Sequence, residues 1–320
     1  SPRRSVQQLP RRLAAQDGLD RLVVVTERPI AELARELDPA RVGREAMLRG
    51  ALRLVWQYDA SRITQRLTLY RDSRRIDFRT EVDWRQQDVL LKVAFPVAIR
   101  ATQATFDVQF GAVERPTHWN TTWDAARFEV PAHKWADLSE GDYGVALLND
   151  CKYGYDVRDH VLRLTLIKSA RYPDEQADQG QHRFTYSLWP HAGGWRQGDV
   201  KRQGYELNAP LLAGLAGGEG DSGLPSRASL AQVDTPHVIL ETVKRAEDGD
   251  GWIIRLYEAQ QTRTQKVTVT FDRPVLRAVA CNLLEEEEAD PSLHVEGRQL
   301  SFAILAYEIR TFRVTLAPGQ

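Results

Sequence analysis

The sequence predicts an all-β protein, and three observations carry that expectation. Apolar and polar residues alternate with period two along most of the chain, the breaks between such runs are of hairpin length, and one stretch alone reads clearly as helix. Residues 51–58 (ALRLVWQY), 63–70 (ITQRLTLY) and 75–84 (RIDFRTEVDW) alternate as half-buried strands do. Asp59-Ala60-Ser61 and Asp72-Ser73 separate them, and Asp and Ser favour turns because their side chains bond back to the backbone. Strand patterns follow at 89–97, 104–111, 143–150, 161–168 and 183–190. So many strands in one open sheet would leave too much edge unpaired, so a large two-sheet sandwich is expected. The helix falls at 29–38 (PIAELARELD), with Pro29 near its start and Ile30, Leu33 and Leu37 on one face. Residues 212–229 hold five Gly, three Ser and one Pro, the composition of a linker. Beyond it, patterns at 237–243, 252–259, 266–271, 275–280, 299–304 and 307–316 fit a second, smaller sandwich. The division expected is an unassigned segment at 1–49, a large sandwich at 50–232 and a small one at 233–320.

Composition narrows the function classes. The 320 residues carry a net charge of −1, with 27% charged and 42% hydrophobic side chains, so nothing favours nucleic acid or an acidic membrane as partner. The basic start 1–12 (SPRRSVQQLPRR) has no apolar run after it and is not a secretory signal. No stretch approaches the ~20 apolar residues that cross a bilayer, and a soluble chain is expected. Cys151 and Cys281 cannot form a disulfide framework and lack metal spacing, so a reducing cytoplasm is expected, with Cys151 read as a buried thiol. The chain opens on Ser1-Pro2 and contains one Met, which suggests an excerpt from a longer polypeptide.

The polar motifs are individually weak. Residues 117–140 (THWNTTWDAARFEVPAHKWADLSE) place three Trp among two His and several acids. Trp119, Trp123 and Trp135 could stack on sugar faces, but a core role is the commoner use of Trp. His118 and His133 lie fifteen residues apart, far from zinc spacing. Asp137 and Glu140 could serve as paired acids of a glycosidase, although strand-end turns favour the same residues. In 147–156 (LLNDCKYGYD) a strand runs into a polar turn, where functional side chains are often carried. The segment 171–184 lacks the donor register of a calcium loop, and Glu285–Glu288 reads as a solvated acidic loop.

Taken in order, these segments resemble the C-terminal part of glycoside hydrolase family 38 α-mannosidases, in the bacterial, vacuolar and cytosolic branch. The succession runs from SRITQRLTLYRDSRRIDFRTEVDW and LLKVAFPV (61–97) through RPTHWNTTWDAARFEVPAHKWADLSEGDYGVALLNDCKYGYD and LRLTLIKSARYPDEQADQGQHRFTYSLWPH. It continues through Asn208-Ala209-Pro210-Leu211, VKRAEDGDGWIIRLYEA (243–259), CNLLEEE (281–287) and YEIRTFRV (307–314), so it spans about 50 to 316. The resemblance implies a large galactose-mutarotase-like β-supersandwich followed by a small C-terminal β-sandwich. It implies retaining hydrolysis of terminal α-mannosyl residues in the full-length enzyme, hence mannose and oligosaccharide catabolism. The carboxylates and a divalent metal, zinc in most members, belong to an N-terminal catalytic domain that is absent here. This chain is therefore expected to hold no catalytic residue, metal ligand or cofactor. Its partners would be that catalytic domain of the same polypeptide and α-mannoside glycans, with homo-oligomerisation left open. The substrate-binding candidates are Asn149, Asp150, Lys152 and Tyr153 at the strand end, with Lys168, Asp178 and His182 across from them. A stand-alone carbohydrate-binding sandwich and a structural or oligomerising module are the alternatives.

Overall fold

A computed structural model describes residues 49–214 and 227–319, together with the backbone of two short strands, β1 (Gln7–Gln8) and β2 (Arg21–Thr26). The helix expected at 29–38 lies outside the described residues. Twenty-one further strands and two short helices account for the regular structure described, so the all-β expectation holds.

The first compact unit comprises Ser1–Val108 and Val113–Leu211. Its eight-stranded sheet is built from β3 (Arg49–Tyr58), β4 (Ser61–Tyr70), β5 (Ile76–Trp84), β7 (Gln103–Val108), β8 (Gly111–Pro116), β10 (Trp135–Ser139), β11 (Tyr143–Asn149) and β14 (Gly180–Ala192). Their order is β3-β4-β5-β14-β11-β10-β7-β8. The facing sheet adds β6 (Val89–Pro96), β9 (Val130–Pro131), β12 (Gly154–Arg158) and β13 (Val161–Lys168) to β1 and β2, in the order β1-β2-β6-β13-β12-β9. The β2–β6 pair is parallel, and the other pairs of this unit are antiparallel where a register is defined. One core fills the space between the sheets: Leu67, Phe78, Val82 and Trp84 from one, Leu91, Val93, Phe95 and Leu164 from the other. The period-two pattern read from 51–84 follows from this, because alternate side chains of β4 point into that core.

The strand β6 departs from alternation, with every residue from Val89 to Phe95 buried. Both of its faces are covered, as for a central strand. Residues 117–131 lie over the outer face, where Glu129 bonds Lys92 of β6 at 2.7 Å. Within this cover, Thr121 caps the short helix α1 (Thr122–Ala126) by accepting from the Asp124 N–H. The core expectation for the tryptophans holds for Trp135 alone, which is fully buried with its ring centroid 5.3 Å from that of Trp195. Trp119 is 43% exposed and Trp123 79%, because the chain leaves the sheet at Thr117 and re-enters it at Val130.

A helix the sequence did not announce, α2 (Val200–Asn208), packs near β10 and β11. It docks through one side that carries the buried Val200 and Gly204, where a Cβ would lie 3.0 Å from the Trp135 ring, and through a buried Lys201–Asp107 ion pair at 3.4 Å.

The second unit comprises Gln109–Ala112 and Leu212–Gln320. A four-stranded sheet combines β15 (Ala231–Val233), β18 (Thr264–Phe271), β22 (Gln299–Ile304) and β21 (His294–Glu296). A five-stranded sheet combines β16 (Val238–Arg245), β17 (Trp252–Glu258), β23 (Ile309–Leu316), β19 (Val275–Cys281) and β20 (Glu287–Glu288). Val267, Val269 and Phe302 meet Ile254, Phe312 and Val314 in its core. The acidic loop is not wholly solvated. Glu285 is buried, accepts from the Glu247 N–H at 2.9 Å and pairs with Lys244 at 2.8 Å, so it ties two turns together.

Candidate functional site

Strand registers bring the predicted residues to one end of the first unit. Asn149 closes β11 opposite Tyr186 of β14, Lys168 closes β13 opposite Leu90, and His182 lies near the start of β14 opposite Val82. The turn 150–153 crosses from the eight-stranded sheet to the six-stranded one at this same end.

Asn149 shapes that turn. It is buried, and its amide donates to the His133 carbonyl at 2.8 Å and to the Tyr155 hydroxyl. Its Oδ1 accepts from the N–H groups of Cys151 (2.9 Å) and Lys152 (2.5 Å), an Asx turn that uses up the side chain. Asp150 is exposed and accepts from the Thr185 N–H at 2.9 Å, pinning the turn to β14. Lys152 holds its ammonium 4.6 Å from the Phe184 ring centroid, a cation–π contact that presents the charge at the surface. Tyr153 is 59% exposed, its ring edge-on to His133 at 5.3 Å.

Across the end, Asp178 adopts φ of 59° and accepts from the Lys168 N–H at 3.1 Å, while the His182 Nε2 lies 2.8 Å from the Asp178 carbonyl. Arg171 pairs with Asp88 at 2.7 Å and Gln87 donates to the Glu175 carbonyl at 3.1 Å, so the 171–179 loop is tied down. His182 and Phe184, two residues apart on β14, share one face of that strand. No hydrogen bond, ion pair or ring contact joins the 149–153 group directly to Lys168, Asp178 or His182 among the described residues. This end of the unit carries an ammonium, a phenol and an imidazole, the last bonded to the Asp178 carbonyl.

Cys151 sits on the exposed turn rather than in the core. Partial burial, then a hydrogen bond with Asp150, pushes its thiol up to about 11, which disfavours the nucleophilic thiolate. Cys281 is buried.

The acids of 137–140 do not form a catalytic pair. Asp137 is buried inside β10, 2.7 Å from His191 Nε2 and 2.5 Å from the Ser139 hydroxyl, which donates to it. Glu140 accepts from the Arg100 N–H at 2.7 Å. Sequence reading could not have found His191: it lies 54 residues from Asp137 and meets it only across β10, β11 and β14.

The family resemblance implies a divalent metal, but among the described residues no group of three His, Cys, Asp or Glu side chains could hold one. Three concavities in this unit are lined by other residues. The most spacious, about 780 Å³, lies at the opposite end, between Ile99, Arg100, His118, Glu140 and His160.

The described residues build a large six-on-eight sandwich and a small four-on-five one, which defines the class as an all-β sandwich protein. Comparison with known proteins makes this specific. Residues 25–176 match the glycosyl hydrolases family 38 C-terminal domain, and 237–312 match the glycosyl hydrolases family 38 C-terminal beta sandwich domain. The first match begins upstream of residue 50, inside the segment that the sequence left unassigned. The human alpha-mannosidase 2C1 is 40% identical over 298 residues, covering 92% of this chain and 28% of its own length. The alpha-mannosidase of Saccharomyces cerevisiae is 41% identical over 175 residues, 54% of this chain and 16% of its own. In fold, an alpha-mannosidase from Enterococcus faecalis V583 superposes with a TM-score of 0.67 at 22% identity, over 80% of this chain and 29% of that one. The chain belongs to glycoside hydrolase family 38 and corresponds to its C-terminal region. It spans little more than a quarter of the length of the human relative, 28%.

Proposed function

We propose that this chain serves as the C-terminal β-region of a retaining α-mannosidase acting on terminal α-mannosyl residues of glycans in the cytoplasm. An N-terminal catalytic domain of the same polypeptide would supply the two carboxylates and the divalent metal. The rim residues Lys152, Tyr153 and His182, with Lys168, would face the shared cleft and bind sugar hydroxyls. Asn149, Asp150 and Asp178 would hold that rim in shape. The observation that carries the reading is the paired match, in order, to both C-terminal domains of one hydrolase family. Sugar hydroxyls suit the rim, because Lys, Tyr and His offer donors at a surface already fixed by backbone bonds. No helix among the described residues is long and apolar enough to cross a membrane.

Two measurements test this. The 320-residue chain alone should show no turnover of an aryl α-mannoside, with or without zinc, since retaining hydrolysis needs two carboxylates about 5–5.5 Å apart. Activity that copurifies with the chain alone would sink the proposal. In the longer enzyme, Lys152→Ala should cost a charge-assisted hydrogen bond of ~1.5–3 kcal/mol, a ten- to hundredfold loss in kcat/KM at unchanged melting temperature. Unaltered kinetics would remove Lys152 from the substrate.

A further inference from the structure

A second site lies on the β9–β12 edge of the six-stranded sheet, where the 117–131 cover meets β8 and β12. A cavity of about 30 Å³ opens there between Arg115, His118, Trp119, Asp124, Arg127 and Arg158, floored by Phe106 and Tyr155. That exceeds the roughly 10–15 Å³ needed for a single water, and it suits a group of a few heavy atoms.

The charges around this cavity are unbalanced. The Arg115 guanidinium lies 4.8 Å from the Phe106 ring centroid, and its Nη1 is buried without a hydrogen-bond partner. Neither Arg115 nor Arg127 has a carboxylate within ion-pair distance among the described residues. Burial first, and the like charge of Arg127 second, press the Arg115 guanidinium below its usual range. Arg158 stacks on Trp119, 3.2 Å from the ring centroid, and donates to the Phe128 carbonyl at 3.3 Å. Two acids line the cavity. Asp156 is already shared by Lys92 and Arg163, and Asp124 accepts from the Thr121 hydroxyl at 2.8 Å and faces His118 at 3.6 Å. The Arg115 side chain as a whole is half-buried, and withdrawing even part of a guanidinium from water without a counter-charge carries a cost. A forked guanidinium beside a second cation matches the geometry of a carboxylate or phosphate.

We propose that this pocket binds a small oxyanion, held by Arg115 and Arg127 and walled by Phe106 and Trp119. The size of the cavity limits the ligand to a simple carboxylate or inorganic phosphate and excludes a sugar ring. This site is independent of the proposed function, because none of the rim residues lines it.

The test is the melting temperature of the 320-residue chain in sodium phosphate and in sodium acetate, each against sodium chloride at equal ionic strength. A saturable rise of about 2–4 °C is expected at an anion concentration ten times Kd, in at least one of the two anions. The stronger of the two names the oxyanion. Arg115→Gln should abolish the rise while retaining the response to chloride. Should Arg115→Gln fail to fold, the exposed Arg127→Gln serves instead and should raise the half-saturating concentration at least threefold. No rise beyond that in chloride, or the same rise and midpoint in the variant that folds, overturns the proposal.

Discussion

Two polar clusters of the first unit make opposite use of the same residue types. On the outer face of β6, Lys92 is buried against Asp156 and Glu129, Arg163 reaches Asp156 at 2.8 Å, and the Thr165 hydroxyl donates to Glu129. At the strand-end rim, Lys152 lies over Phe184 without an acid partner among the described residues, and Tyr153 faces solvent. The first cluster spends its hydrogen-bonding capacity within the chain, and the second lies at the surface. A buried charge must be paired before the fold can form, whereas an exposed one is free to meet a ligand. Lys152 stands two residues from Asp150 in the sequence, whereas Lys92 finds Asp156 only across 64 residues of chain, and their burial differs accordingly.

The largest expected effects lie on the buried side. Asp156→Asn should destabilise the first unit by about 3–5 kcal/mol, because it strands Lys92 and Arg163 with a single acid between them. Trp135→Ala, the apolar control, should cost a similar ~3–5 kcal/mol through the cavity it leaves beside Trp195. Chemical denaturation of both variants measures this, and a loss under about 1 kcal/mol for Asp156→Asn would mean that water replaces its partners.

A smaller effect follows from titration. Burial works against ionisation of Asp156, but Lys92 and Arg163 outweigh it and hold the carboxyl below its ordinary range. Its folded value therefore lies under the unfolded one, about 3.9. The stability it contributes is complete above that pH and is lost as pH falls through the folded value. Denaturation midpoints measured from about pH 6 downward should fall below about pH 4, and less steeply in Asp156→Asn. Equal slopes in both proteins would assign the acid sensitivity to other carboxylates.

The smallest effect belongs to the rim. Lys152→Ala and Tyr153→Phe should each change stability by no more than about 0.5 kcal/mol, as surface substitutions do. A larger loss at either position would move the rim into the structural class and erase the contrast with Lys92.

Sequence legibility followed the same divide. Alternation made the half-buried strands readable, and the hairpin turn at Asp59, with its left-handed φ of 49°, was visible as a turn residue. The strand β12 was missed because it is only five residues long and follows directly on the polar turn 150–153, and no local pattern signals the burial of Asp156. The Trp119–Trp123 pair misled for a related reason. The spacing of two aromatics along a chain does not say whether the chain stays in the sheet between them.

By itself the sequence determined the strand-rich architecture, the two successive sandwiches and the family, because these rest on local periodicity and on the order of segments along the chain. The tertiary structure alone decided which polar residues are spent. Asn149 is used within its own turn, Asp137 is used by a histidine 54 residues away, and Lys92 is neutralised by strands and a covering loop. Lys152 lies over a ring, Tyr153 is exposed, and one Arg115 nitrogen is buried without a partner among the described residues. The physical reason is that pairing and desolvation depend on neighbours in space, and in a β-sandwich those neighbours come from strands far apart in the chain.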